Sequence, residues 1–245
     1  MFSFLKKKLP AVSVLPVTVD IHSHILPGID DGAADVNTSV RLIRGLYELG
    51  IRKCIATPHI IGDLYRNNAH TIGAALEQAK QGCAAAGIDM QLSAAAEYML
   101  DDHFMELLEH REPLLTLYEN YVLTEFAYSM RPNNIDEMAF RIITAGYKPV
   151  LAHPERYFYF HRHPEEYARL RELGFDLQVN LLSLTGYYGK EVAKAAKYIL
   201  ENGLAQYVGT DLHHQRHLSS YQNQDNLAIM DKWVGEQVRI NMAMV

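Results

Sequence analysis

The chain has 245 residues, a formal net charge of −6, 49% hydrophobic and 21% charged residues. That size fits one large α/β barrel domain with a core that needs no staples. The scattered Lys and Arg form no basic stripe of the kind that neutralises nucleic-acid phosphates. No apolar run approaches the roughly 20 residues that span a bilayer.

The chain opens on Met1-Phe2-Ser3-Phe4-Leu5-Lys6-Lys7-Lys8. Its apolar part is too short for a signal peptide, and the lysines stand on the wrong side of it. Residues 1–16 are therefore read as an N-terminal extension and 17–245 as a single domain. The first buried strand is Val17–Ile21, and His22-Ser23-His24 follows it in strand phase, so both imidazoles face one side and can reach one ion. Leu26-Pro27-Gly28-Ile29-Asp30-Asp31-Gly32 then makes a tight loop, from which one aspartate, Asp31 for preference, can also reach that ion. Helical period returns over Asn37–Leu49.

Strands over Lys53–Thr57, Met90–Ala95, Tyr121–Phe126, Pro149–Ala152, Leu177–Leu181 and Tyr207–Gly209 alternate with helical stretches over Thr71–Ala86, Ile135–Ala145, Glu165–Leu173 and Glu191–Glu201. Only the Asp101–Glu112 link is irregular. Gly50, Gly87, Gly146, Gly174 and Gly203 stand where a helix closes on a left-handed residue. Polar chemistry follows almost every strand, with His59, Glu97, Glu125, His153, Asp211 and His213 placed where apolar runs stop. An open sheet gathers its site at one switch point, whereas a barrel collects strand ends around one face. The expected architecture is a seven-stranded β/α barrel.

Buried carboxylates and imidazoles are unfavourable unless paired or bound to a cation. Eight groups (His22, His24, His59, Glu97, Glu125, His153, Asp211 and His213) exceed the needs of one ion, so two or three ions sharing a carboxylate are expected. The set is nitrogen and oxygen without thiolate, which suits Mn, Fe, Zn or Mg. Cys54 and Cys83 have no CxxC spacing and read as core thiols, which agrees with a cytoplasmic setting. His70, His103, His110, His161 and His163 read as surface residues, while a site role for His214 and His217 stays open. Arg156, directly after His153-Pro154-Glu155, and Arg216 are the cations placed to grip a phosphate bidentately. Metals with arginine point to phosphate-ester hydrolysis. The run Tyr157-Phe158-Tyr159-Phe160 reads as loop packing, with an aryl-pocket floor as its alternative.

Together Asp20-Ile21-His22-Ser23-His24, Ile29-Asp30-Asp31-Gly32, Thr57-Pro58-His59, Ala96-Glu97-Tyr98, Glu125-Phe126, His153-Pro154-Glu155-Arg156-Tyr157 and Thr210-Asp211-Leu212-His213 resemble the PHP (polymerase and histidinol phosphatase) superfamily, in particular its bacterial manganese-dependent protein-tyrosine phosphatases of the CpsB/CapC/YwqE type. The resemblance implies a distorted (β/α)7 TIM-like barrel and a trinuclear manganese site on His22, His24, Asp31, His59, Glu97, Glu125, His153, Asp211 and His213, with Glu97 bridging. It further implies phosphate binding by Arg156 with help from Arg216, and a substrate in the phosphotyrosine tail of a bacterial tyrosine autokinase that controls capsule or exopolysaccharide synthesis. A metal-activated hydroxide would attack phosphorus, with Asp31 or a histidine at the mouth as acid. The alternatives are a small-molecule phosphatase acting on a substrate such as histidinol phosphate, and a catalytically silent scaffold barrel. Assembly into a homo-oligomer is left open.

Overall fold

In the computed structural model, which describes residues 12–245, nine short parallel strands alternate with helices. The lysine-bearing leader, residues 1–11 of the extension, lies outside the described residues. The strands are β1 Val19–Asp20, β2 Lys53–Ala56, β3 His59–Ile60, β4 Gln91–Ala94, β5 Glu97–Met99, β6 Tyr121–Glu125, β7 Lys148–Ala152, β8 Asp176–Asn180 and β9 Ala205–Gly209. The helices are α1 Val36–Glu48, α2 Ala69–Ala85, α3 Asp102–Glu109, α4 Ile135–Thr144, α5 Glu165–Glu172, α6 Lys190–Glu201, α7 Gln215–Tyr221, α8 Gln224–Trp233 and α9 Glu236–Met244. Among the described residues no helix is long and apolar enough to cross a membrane.

The strands form two sheets, β1-β2-β4 and β3-β5-β6-β7-β8-β9, and not the single closed sheet expected. The reason lies in two interruptions. Pro58 has no N–H for the ladder, and its break divides β2 from β3; Ala95-Ala96 divides β4 from β5. Register survives the break, because Ala56 pairs Ala94 and His59 pairs Glu97, both offset by 38 residues (94 − 56 and 97 − 59). At the other edge, Ser23 and Leu212 make an isolated parallel bridge, with Asp211 N donating to His22 O at 2.7 Å. The buried Asp20 carboxylate reinforces this seam by accepting from Thr210 N at 2.9 Å and Thr210 Oγ1 at 2.5 Å.

Strand interiors are apolar on both faces, as a helix-covered parallel sheet requires: Val122, Leu123, Val150, Leu151, Leu177, Val179 and Val208 are all fully buried. Side-chain caps set several helix starts. Asp35 accepts from Thr38 N before α1, and Asn68 with Thr71 forms a capping box at α2. The stretch expected to be irregular contains α3, which Asp101 caps and which buries Phe104 and Leu108 one turn apart. The five helix-closing glycines all have positive φ. Val12 to Pro16 are not loose: Leu15 is buried and its N–H bonds Leu49 O at 2.8 Å.

Candidate metal centre

The polar groups that strand period and strand ends place on one face meet in a buried cluster at the C-terminal ends of the strands. His22 and His24 bring their Nε2 atoms to 3.3 Å of each other, and each lies 3.3 Å from Glu97 Oε2. His59 Nδ1 lies 3.2 Å from the same oxygen and 3.1 Å from Glu125 Oε1. His153 Nε2 lies 3.0 Å from the other oxygen of Glu97. Asp211 Oδ1 reaches His22, His24 and His213 at 3.4, 3.5 and 3.3 Å. The half-exposed Asp31 closes the rim at 3.5 Å from His59 Nε2 and 3.6 Å from His213 Nε2. All nine residues singled out as ligands are thus brought together. Their donor atoms fall into four overlapping groups: His24/Asp31/His59/His213, His22/His24/Asp211, His22/Glu97/His153 and His59/Glu97/Glu125.

The donor set fits divalent cations. His59 Nδ1, Glu97 Oε2 and Glu125 Oε1 are buried, have no hydrogen-bond partner, and together make up one of those four groups. Buried polar atoms are almost always satisfied, so three orphans converging on one point call for an ion. Nitrogen and carboxylate oxygen suit manganese, iron, zinc or magnesium.

Two candidate ligands occupy a left-handed backbone: His153 at φ 35° and Asp211 at φ 51°. Such strain persists where the surrounding structure over-determines it and clusters at functional sites. Two more residues orient the histidines. Asp30 Oδ2 holds His24 Nδ1 at 2.8 Å while Asp30 Oδ1 accepts from Gly32 N at 3.0 Å. Gln178 Oε1 holds His22 Nδ1 at 2.7 Å. The loop can fold this closely over His24 only with glycine at 32, since a Cβ there would fall 1.9 Å from His24 O.

Electrostatics divide the cluster. Burial would raise Glu97, but the charges of His22 and His59 outweigh it and hold the carboxyl well below the usual range. Burial and the charge of Glu97 push Glu125 up to about 7. Burial lowers His153 and His213 to about 4, whereas for His22 the attraction of Glu97 and Asp211 overcomes burial and raises it to about 9. Neighbouring groups driven in opposite directions are a recurring feature of functional sites, and cation binding favours the neutral imidazoles.

A family model for the capsular polysaccharide synthesis proteins CpsB/CapC matches residues 18–244. The chain belongs to the CpsB/CapC family. It is 29% identical to the tyrosine-protein phosphatase YwqE of Bacillus subtilis over 220 residues, covering 90% of this chain and 86% of the relative. It is 26% identical to the tyrosine-protein phosphatase CpsB of Streptococcus pneumoniae over 226 residues, covering 90% and 93%. Crystal structures of YwqE and CpsB, described as metal-dependent tyrosine phosphatases, include a chain that superposes with a TM-score of 0.82 at 29% identity, over 92% of this chain and 91% of that one.

In this CpsB/CapC chain the cavity over the cluster, about 250 Å³, is walled by Tyr128, Arg156, Tyr188, His214 and His217 besides the candidate ligands. Arg156 Nη1 donates to Asp211 Oδ2 at 2.8 Å, and its guanidinium lies 4.9 Å and 4.5 Å from the Tyr128 and Tyr188 ring centres. Arg216 is not brought there. It lies exposed on α7, 5.8 Å from the Tyr187 ring, because the helix turns it away while burying His217 and Leu218. Sequence reasoning left out Tyr128 and Tyr188, which no motif flags. It also left out Gln178 and Asn180, whose i, i+2 spacing on an otherwise apolar strand was the available signal. Tyr157 and Phe160 are fully buried, so packing accounts for them, while Phe158 is exposed and Tyr159 half-buried.

Glu155 sits beneath the arginine, fully buried. Its Oε1 accepts from Asn180 N at 2.9 Å and Ser183 Oγ at 2.7 Å, and burial pushes its pKa up to about 7. A raised carboxyl favours the folded state while protonated; that contribution is whole below the ordinary 4.5 and lost as pH rises through about 7. Metal-free wild-type protein should therefore lose stability relative to Glu155→Gln between pH 5 and pH 8, on the order of 2–3 kcal/mol. Urea denaturation of both proteins at the two pH values checks this; a constant difference would refute it.

Proposed function

We propose that this chain is a metal-dependent protein-tyrosine phosphatase. The observation that carries the reading is the convergence of three orphaned donor atoms on one point beside Glu97, in a cavity that Arg156 overhangs. The nine clustered residues would hold two or three divalent ions, manganese foremost, with Glu97 shared between them. Such ions supply an activated water and neutralise phosphoryl charge. Arg156, pinned by Asp211 and flanked by two rings, is pre-oriented to donate to phosphoryl oxygens. A histidine at the mouth, or Asp31 when it is not holding an ion, would protonate the leaving phenolate. Tyr128, partly exposed beside Arg156, offers a ring face to an aryl group.

The relatives' names as tyrosine-protein phosphatases support phosphotyrosine as the substrate, and the family's link to capsular polysaccharide synthesis supports a bacterial tyrosine autokinase tail as its source. The constant register across both breaks and the Ser23–Leu212 bridge support a distorted seven-stranded (β/α)7 barrel over residues 17–245. Unpaired, buried Cys54 and Cys83 agree with action in the cytoplasm.

The test is turnover of a phosphotyrosine peptide, p-nitrophenyl phosphate and histidinol phosphate by manganese-loaded protein. The peptide is expected to have the highest kcat/KM. Preference for histidinol phosphate would replace this reading with the small-molecule one, and inertness towards all three would favour the scaffold. Within it, Arg156→Ala should lower kcat/KM by about 10²–10³-fold. Arg216→Ala, on the outer surface, should change it by less than threefold. Equal losses in steady-state assays would contradict the assignment of Arg156.

A further inference from the structure

Behind the cluster runs a buried chain of hydrogen bonds whose middle members, Gln178 and Asn180, have no part in the proposed reaction. Arg156 Nη1 and Asn180 Nδ2 both donate to Asp211 Oδ2, at 2.8 and 2.7 Å. Gln178 Nε2 donates to Asn180 Oδ1 at 3.0 Å, and Gln178 Oε1 faces His22 Nδ1 at 2.7 Å. His22, Gln178, Asn180 and Asp211 are all at most 1% exposed.

We propose that Gln178 and Asn180 are positioning residues that pass the polarity of Asp211 to His22 and fix its tautomer, so that the Nε2 lone pair faces a divalent cation. The proposal rests on the metal-site reading above. Its direction follows from donor and acceptor chemistry alone. A carboxylate can only accept, so the Asn180 amide must present its nitrogen to Asp211. That turns the Asn180 oxygen towards Gln178, which must answer with its own nitrogen. The Gln178 oxygen is then left facing His22, and an oxygen acceptor there requires the proton on Nδ1. In a neutral imidazole the lone pair is then on Nε2, the atom that lies 3.3 Å from Glu97 Oε2 and 3.4 Å from Asp211 Oδ1.

Asp211 therefore acts at both ends: Oδ1 stands in the cluster beside His22, and Oδ2 starts the chain that sets which nitrogen of His22 binds. A liganding histidine usually leans on a carboxylate, a carbonyl or water; here two amides carry the carboxylate's polarity across β8. The path needs Gly209, since a Cβ on that β9 residue would come within 2.7 Å of His22 Cβ and 2.9 Å of Gln178 Nε2. Asn180 is further held by Glu155, which accepts from its backbone N–H. Arg156 ends on the same oxygen of Asp211, so the phosphate-facing cation and the His22 tautomer share one anchor.

The test compares wild type with Gln178→Met, which keeps length without an acceptor, and Asn180→Leu, which keeps shape but cannot donate to Asp211. Each metal-free protein is titrated with Mn²⁺ by calorimetry. Both variants are expected to bind 10- to 100-fold more weakly, roughly the usual penalty for losing a histidine's outer partner. In the Zn²⁺-loaded protein, the His22 Nδ1–H is expected as a downfield, slowly exchanging proton resonance that Gln178→Met abolishes while the backbone amides of β8 and β9 stay protected, a combination that loosened packing would not give. If Gln178→Met unfolds, the near-isosteric Asn180→Leu gives the same reading. Variants that bind Mn²⁺ within threefold of wild type, or a His22 Nδ1–H signal that survives in Gln178→Met, overturn the relay alone. A wild-type protein that binds no divalent ion overturns the metal-site reading and the relay with it.

Discussion

Glu97→Gln should lose phosphatase activity by on the order of 10³-fold and carry fewer ions after purification in manganese. Its two oxygens stand within 3.0–3.3 Å of four imidazoles: His22, His24, His59 and His153. Among the described residues no other carboxylate lies against so many of these imidazoles. Glutamine keeps the volume but replaces one acceptor with an N–H₂ donor, which would point at nitrogens that need their lone pairs for a cation. Removing a charge from such a site also leaves its partners buried without compensation. Metal content by elemental analysis, measured beside steady-state rates, tests this. Retention of full metal content with normal kcat would rule out the shared-ligand role. Asp31→Asn, at the solvent-facing rim, should cost less than Glu97→Gln, because water can replace a half-exposed ligand.

Chelation is expected to abolish activity and to destabilise the fold. An ion present at about 100 times its dissociation constant stabilises the protein it binds by about 2.7 kcal/mol per site. For a chain of this length that corresponds to a fall in melting temperature of about 5–11 °C for each ion removed. The physical source is the cluster itself: without a cation, orphaned Glu97 and Glu125 oxygens and five crowded imidazoles must settle their charges by protonation alone. Differential scanning calorimetry before and after dialysis against a chelator reads the shift, and adding Mn²⁺ back should restore both temperature and rate. An unchanged melting temperature together with unchanged activity would remove the ions from the mechanism.

Much of the site was legible because its signals are local. Strand period puts His22 and His24 on one side, and the end of each apolar run marks where a polar side chain emerges into the mouth. The helix-closing glycines were legible for the same reason, since the left-handed backbone at a helix end is a one-residue requirement. Other features were not. The division of the loop aspartates, Asp30 orienting His24 and Asp31 at the rim, depends on where a tight turn folds against residues 24 and 59. The placement of Arg216 depends on the rotation of α7 about its axis, which the burial of His217 and Leu218 decides. Pro58 could have announced the break in the second strand, but only its partner across the sheet shows that the register passes through unshifted.

His22-Ser23-His24 and the polar residues ending later strands were sufficient by themselves to predict a parallel β/α chain whose nitrogen and oxygen donors gather at the strand ends, because those features depend on residue type and short spacing. The tertiary structure decided which atoms meet. Glu97 gathers four histidines from three places in the chain, and the nitrogen of His22 that faces away from the cluster meets a glutamine 156 residues away. Contacts across such separations are set by strand register and by the close approach that Gly209 allows, and neither is encoded in any one stretch of sequence.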